Sequence, residues 1–475
     1  MASLSHAPPS HYNASWASLK HHPVPTWFCD AKFGIYFHWG PYSVPAYDNE
    51  WYSRNMYIEG SNAHTHHLKT YGSLDSFGYK DFIPMFTADK LDVEAWVDLF
   101  QNAGAKFAGP VAEHADGFAM WDSKVNSFNA ASMGPKQDIV RLFERAIRQT
   151  DMKFIATLHH MWLWAWYPTW DKTVDASNPE HSDLYGPLVE PDEFDNPWSD
   201  DAFNDTFVAK IKEVIDGYQP DLLWFDARMD RVSERHRQDF AVYYYNRALE
   251  WGREVGITYK NKDMGWGSAI LDVERGRMSS LQPYAWLTDD SVCWRSWAHL
   301  HEPEYKSSKR LLDSLVDIVS KNGNLLLNIP PRADGTISDE VQTLLLDMGK
   351  WLAINGEAIY GTRPWTVYGE GPTKVSEGHF SEKDNELMHA QDIRYTTKGD
   401  VLYAIVMGVP YETIRLHSLT QDALNGRTIQ RIQLLGSDEP IQFQQDREGV
   451  NIVPPQTKPS DIALAFKLEF DQRKL

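Results

Sequence analysis

Cysteine is nearly absent: the 475 residues include two, Cys29 and Cys293. That excludes a disulfide framework and a cysteine-rich metal centre. One tertiary disulfide is compatible with the count, but two free buried thiols are the expectation. No apolar run is long enough to cross a bilayer. Basic charge is in short supply, with 46 Lys and Arg against 66 Asp and Glu and a net charge of −20. Nucleic acid is therefore not an expected partner, because phosphate binding needs clustered cations, and anionic membrane surfaces are disfavoured as well. The HExxH and Cys/His spacings of zinc sites are missing, so neither a metal nor another cofactor is expected. There is no GxSxG elbow for a Ser-His-Asp hydrolase. The N-terminus "MASLSHAPPSHYNASW" has no charged segment leading into an apolar core. It reads as no signal peptide, and the compartment stays open: secreted or periplasmic where a signal has been removed, cytoplasmic otherwise. Asn13 and Asn204 begin glycosylation triplets, which matter only in a secreted protein.

Aromatic residues, by contrast, are abundant: 19 Trp, 22 Tyr and 21 Phe. Flat rings suit the apolar faces of sugars, and they suit large cores equally well.

The first three quarters of the chain alternate short apolar runs with amphipathic helical patterns, the signature of βα units around a parallel sheet. Strand-like runs are "KFGIYFHWG" (32–40), "AKFAGPVAEH" (105–114), "MKFIATLHH" (152–160), "DLLWFD" (221–226), "GITYKN" (256–261), "AILDVE" (269–274) and "NLLLNIPP" (324–331). They are apolar almost throughout, as strands covered on both faces are. Seven or eight such units, with no glycine-rich loop after the first strand, point to a (β/α)8-like barrel over residues 1–356. From 357 to 475 the runs become short and β-rich, separated by turn residues, which predicts an antiparallel β-sandwich.

In a barrel, the C-terminal strand ends and the loops after them form the active face. Read in order, those ends carry His38, Glu113 and His114, His159 and His160, Asp226 and Glu274. One such residue can simply mark where a strand meets water; five strands in succession argue for a site. Two carboxylates on separate strands, among His and Trp, suit glycoside hydrolysis. The acidic segment 168–201 follows the third strand and is expected to shape the substrate pocket.

The chain resembles the α-L-fucosidases of glycoside hydrolase family 29. The matching pieces are "KFGIYFHWGPYSVPAYDNEWY" (32–52), "DGFAMWDSK" (116–124), "LLWFD" (222–226), "GNLLLNIPPRADGTI" (323–337) and "NGEAIYGTRPW" (355–365). The resemblance implies a barrel followed by a β-sandwich, and a retaining exo-hydrolysis of terminal α-L-fucose on fucosylated glycans. It makes Asp226 the nucleophile and assigns His38, Glu50, Trp51 and His114 to the sugar hydroxyls. Trp39, Trp121 and Trp224 join Trp51 as expected ring platforms. Where family members carry "KHHDGF", this chain reads "EHADGF" (113–118), so Ala115 replaces a His whose contact His159 or His160 could supply. Glu274 is the foremost acid/base candidate, with Asp289, Asp290 and Glu113 as rivals; Asp230 reads as a loop carboxylate. A non-catalytic fucose-binding protein and a glycosidase for a related sugar such as galactose are the alternatives.

Overall fold

A computed structural model describes residues 9–191, 193–195 and 198–471; residues 1–8, where the leader expectation begins, fall outside them. Eight parallel strands close into a barrel in sequence order: β1 Phe33–Phe37, β2 Phe107–Glu113, β3 Lys153–Leu158, β4 Leu222–Phe225, β5 Gly256–Lys260, β6 Ile270–Asp272, β7 Trp286–Ser291 and β8 Gly323–Ile329. Parallel register runs through every neighbouring pair and closes between β8 and β1, where Ile35 lies opposite Leu327. Seven of these strands coincide with the apolar runs. The eighth, β7, reads "WLTDDS" and is fully buried despite its polar composition, so hydrophobicity alone could not reveal it.

The helices between strands start where the sequence offers a side-chain cap. Asp92 Oδ1 accepts from the Ala95 amide at the head of helix Val93–Asn102, and Ser338 Oγ accepts from Val341 at the head of Asp339–Asn355. The helix Asp201–Tyr218 buries Phe207, Val208, Ile211, Val214 and Ile215 on one face. Asn204 lies in the same helix and is also buried, so its glycosylation triplet is closed to a glycan in the folded chain. Cys29 is half-buried and Cys293 buried, and both are free thiols.

Beyond the barrel come β9 Arg363–Glu370, β10 Ile393–Lys398, β11 Val401–Val406, β12 Ile414–Leu416, β13 Ile429–Leu434, β14 Phe443–Asp446, β15 Gly449–Ile452 and β16 Leu464–Phe470. They form an antiparallel five-stranded sheet, β13-β16-β11-β10-β9, and a three-stranded sheet, β12-β15-β14. Alternation along β11 explains how the large sheet serves two cores. Leu402, Ala404 and Val406 pack towards Leu416, Val450 and Ile452 of the small sheet. Tyr403 and Ile405 belong instead to the apolar cluster of the barrel helices.

A buried charge cluster joins the two parts. Asp317, on the helix Ser308–Ser320, accepts from Lys321 Nζ at 2.8 Å and from Arg394 Nε of β10 at 2.7 Å, and lies 3.7 Å from Arg277. Burial would raise its carboxyl pKa, yet the three cations hold it below the ordinary value. Asp317→Asn would strand those cations in the interior, and is expected to destabilise the protein by about 3–5 kcal/mol. A drop in the thermal unfolding midpoint, with the sandwich and barrel transitions separating, is the measurement that checks it.

Candidate active site

Side chains alternate along a strand, so only every second residue can face the barrel axis. Inward positions at the C-terminal mouth are Tyr36 and His38, His114, His159, Trp224 and Asp226, Lys260, Asp272 and Glu274, and Asp289. All but Asp272 line one cavity of about 390 Å³ together with Glu50, Trp51, Trp162, Trp297 and Phe380.

The same alternation removes several sequence candidates from this cavity. Trp39, next to inward His38, points outward onto Phe86 and Trp96 and donates its Nε1–H to the Arg332 carbonyl. Glu113 faces the helices, where its Oε1 meets Lys210 Nζ at 2.6 Å. His160 stacks on Phe207, with ring centroids 4.4 Å apart. Asp290 pairs with buried Lys306. Trp121 lies in a loop after β2, buried, with its Nε1–H donated to Glu213. Neither Trp39, Trp121 nor His160 is a wall of the pocket. None of the described residues of 168–201 lines it either; Phe194 instead packs against the Arg54 and Arg228 guanidiniums. Asp230 sits exposed in the turn Met229–Arg231.

The centre of the site is an ammonium that was not among the strand-end candidates. Lys260 Nζ lies 3.0 Å from Asp226 Oδ1, 2.8 Å from Glu274 Oε2, 3.2 Å from Asp289 Oδ1 and 3.9 Å from Asp272 Oδ2. Burial would lower its pKa, but the surrounding carboxylates raise it well above the usual lysine value. The carboxylates respond as well. Burial and the neighbouring Asp226 and Asp289 push Glu274 up to about 8, against the opposing pull of Lys260. Burial and Asp289 hold Asp272 protonated far above its normal range. Trp224 Nε1–H donates to Asp272, and Tyr36 O–H donates to Asp289.

Opposite this cluster stand three imidazoles. Ring centroids are 5.2 Å apart for His38 and His114, 5.0 Å for His38 and His159, and 4.7 Å for His114 and His159. Burial lowers all three pKa values, to about 4 for His114, so the rings are neutral and can both donate and accept. Asn328 fixes the first of them. Its Nδ2 donates to the Trp297 carbonyl, leaving Oδ1 to accept from His38 Nδ1–H at 2.8 Å. His38 Nε2 is therefore the lone-pair nitrogen. Ligand atoms of the three rings lie within 4.8 Å of one another, close enough to gather a cation such as Zn²⁺. Metal-ligating histidines usually have their second nitrogen anchored, whereas the Nδ1 atoms of His114 and His159 have no partner here. Neutral rings with free edges suit sugar hydroxyls better. Glu50 completes this side, its Oε2 accepting from the Trp297 amide at 2.9 Å and from Ser296 Oγ–H at 3.2 Å.

Lys260 was legible as the polar close of "GITYKN", in the same position as Asp226 in its own strand. Tyr36 was legible by parity from His38. Trp162, Trp297 and Phe380 carried no comparable signal, because the first reaches the pocket from the short 3-10 helix His160–Leu163 and the other two from loops.

A parallel barrel with two carboxylates just past the ends of β4 and β6, set among neutral histidines and aromatic rings, defines a glycoside hydrolase. Comparison with known proteins narrows the class. Residues 1–357 match the α-L-fucosidase family model, and residues 385–469 match the model of the α-L-fucosidase C-terminal domain. Rat tissue α-L-fucosidase is 30% identical over 97% of this chain and 93% of its own length, and human plasma α-L-fucosidase is 30% identical over 94% and 89%. The structure of Thermotoga maritima α-fucosidase in complex with fucose superposes with a TM-score of 0.76, at 29% identity, over 96% of this chain and all of that one. The chain belongs to the α-L-fucosidases of glycoside hydrolase family 29.

The Lys260 contacts make a prediction independent of catalysis. In Lys260→Met the Glu274 carboxyl loses the charge that lowers its pKa, so it should titrate above about 8 in a carboxyl NMR titration. A raised folded-state carboxyl pKa favours folding at low pH and loses that benefit as pH rises through it. The deficit in thermal midpoint relative to wild type should therefore be larger at pH 8 than at pH 5.

Proposed function

We propose that this chain is a retaining, exo-acting α-L-fucosidase that hydrolyses terminal α-L-fucose from fucosylated glycans, with Asp226 as nucleophile and Glu274 as acid/base. The observation that carries the reading is the shared contact with Lys260. The two contacts laid end to end span about 5.8 Å, so the bound carboxylate oxygens are no farther apart than that. This supports retention, for which carboxyl groups stand about 5–5.5 Å apart, over the separation of about 6.5–9.5 Å that inversion needs.

In the first step the Asp226 carboxylate attacks C1 of the fucosyl unit. The glycosidic C1–O bond breaks, and Glu274 gives its proton to the departing oxygen. In the second step Glu274 takes a proton from water, the resulting hydroxyl attacks C1, and Asp226 leaves as the free carboxylate. The raised pKa of Glu274 supports the acid role, because a donor must hold its proton at working pH. Sugar binding is assigned to His38, His114, His159, Glu50, Trp51 and Trp224, an assignment supported by their lining one cavity with the two carboxyls. Of the two histidines that could stand in for the family His replaced by Ala115, His159 lies in the pocket. The Tyr36 ring, with centroids 5.7 Å from Trp224 and 6.1 Å from Trp297, joins them in an apolar wall for the C6 methyl of fucose; galactose would set a hydroxymethyl there. A binding protein would have no use for a carboxyl held protonated beside a second carboxylate, which favours the enzyme.

Asp226→Ala should lower kcat on an aryl fucoside by about 10³-fold or more while fucose binding, followed calorimetrically, persists. Undiminished turnover would remove Asp226 from the mechanism. Because Glu274 must be protonated, kcat/KM should fall as pH rises through about 8. Glu274→Gln should abolish that alkaline limb, leaving slow turnover of substrates whose leaving group needs no proton.

A further inference from the structure

Of the residues lining the pocket, Phe380 alone comes from beyond the barrel. The segment 376–382 leaves the C-terminal region and runs back along the loop that follows β6. The Phe380 amide donates to the Glu274 carbonyl at 2.8 Å, and the Glu274 amide donates to His379 Nδ1 at 3.0 Å. Gly378 N–H reaches the Arg277 carbonyl, Glu382 N–H reaches the Arg275 carbonyl, and the Glu382 carboxylate lies 3.4 Å from Arg275. The acid/base candidate is thus held from outside the barrel through its own backbone.

The Phe380 side chain gains nothing from this arrangement as a folding element. The residue is 61% exposed and is left out of every apolar cluster of the described residues. Its φ of +57° lies in the left-handed region, where a bulky residue is unfavourable. An exposed phenyl in a disfavoured conformation at the mouth of a pocket is what a ligand contact demands. The general acid must touch the leaving oxygen, so the leaving group sits beside Glu274, the residue to which Phe380 is hydrogen-bonded.

Building on the fucosidase function, we propose that Phe380 is the platform of a leaving-group subsite, stacking on the apolar C–H face of the neutral pyranose to which fucose is attached. The C-terminal region then selects the glycan, and the barrel selects the fucose.

The test compares a fucosylated disaccharide with α-L-fucosyl fluoride, whose leaving group is too small to reach the ring. In Phe380→Ala the ratio of kcat/KM for the disaccharide to that for the fluoride should fall about tenfold, the scale of one aromatic contact, and Phe380→Trp should return it towards wild type. Phe380→Gly adopts the left-handed conformation without strain; it should show the same loss of ratio with a thermal midpoint no lower than that of Phe380→Ala, which separates the effect from misfolding. A ratio within twofold of wild type in the Ala and Gly variants overturns the subsite. Failure of the wild-type protein to release fluoride would instead overturn the fucosidase function on which it rests.

Discussion

One buried ammonium sets the terms for the whole mouth of the barrel. Lys260 is 1% accessible and lies within 4 Å of four carboxyl groups delivered by β4, β6, β7 and the loop after β6. One positive charge cannot balance four negative ones in so dry a place, so the cluster sheds charge by keeping protons on Asp272 and Glu274. The proton on Glu274 is the one an acid catalyst needs. Burial, with Asp226 and Asp289 close by, keeps that proton on Glu274 against the pull of Lys260. The same ammonium fixes the spacing of Asp226 and Glu274, since both lean on it from different strands.

The opposite wall obeys the complementary rule. Three imidazoles in contact cannot all carry charge, and burial removes it from each. The pocket therefore divides into a charged, proton-holding side and a neutral hydrogen-bonding side. A sugar bound between them would meet neutral donors and acceptors on one flank and carboxyls on the other. Asn328 of β8 supports that division from beneath by choosing the His38 tautomer, and it is itself pinned by Ser291 of β7 and the Trp297 carbonyl.

Much of this was legible in the sequence, and the omissions have physical causes. Continuous apolar runs announced seven strands because those strands are covered on both faces. β7 escaped because its buried side chains are carboxylates and hydroxyls, satisfied by Lys260, Lys306 and the Val273 carbonyl. Strand ends announced the site, but they could not separate His38 from Trp39, His114 from Glu113, or His159 from His160. A one-residue difference in position is a change of face, and register must be known before parity can be used. Knowing that His38 faces inward restores Tyr36 and rejects Trp39 by counting in twos, and the β4–β5 register, with Trp224 opposite Thr258, carries the count from Asp226 to Lys260. Contacts made through loops, such as Trp297 on His38, follow no such count.

The second domain is tied to chemistry as well as to stability. Asp317 links β10 of the sandwich to Arg277, and Arg277 shares a backbone contact with the segment that carries His379 and Phe380. Arg275, from the same loop, lies over Trp297 and reaches Glu382. The loop bearing Glu274 has no helix or strand of its own from 273 to 285. Near its start it is held from the C-terminal region, by Glu382 on the Arg275 guanidinium and by the Gly378 amide on the Arg277 carbonyl. The acid/base role proposed for Glu274 requires its proton to be aimed at the leaving oxygen to within a fraction of an ångström. Docking the C-terminal region against the back of that loop adds hydrogen bonds at Glu274, Arg275 and Arg277, which is a physical reason for the two domains to be carried on one chain.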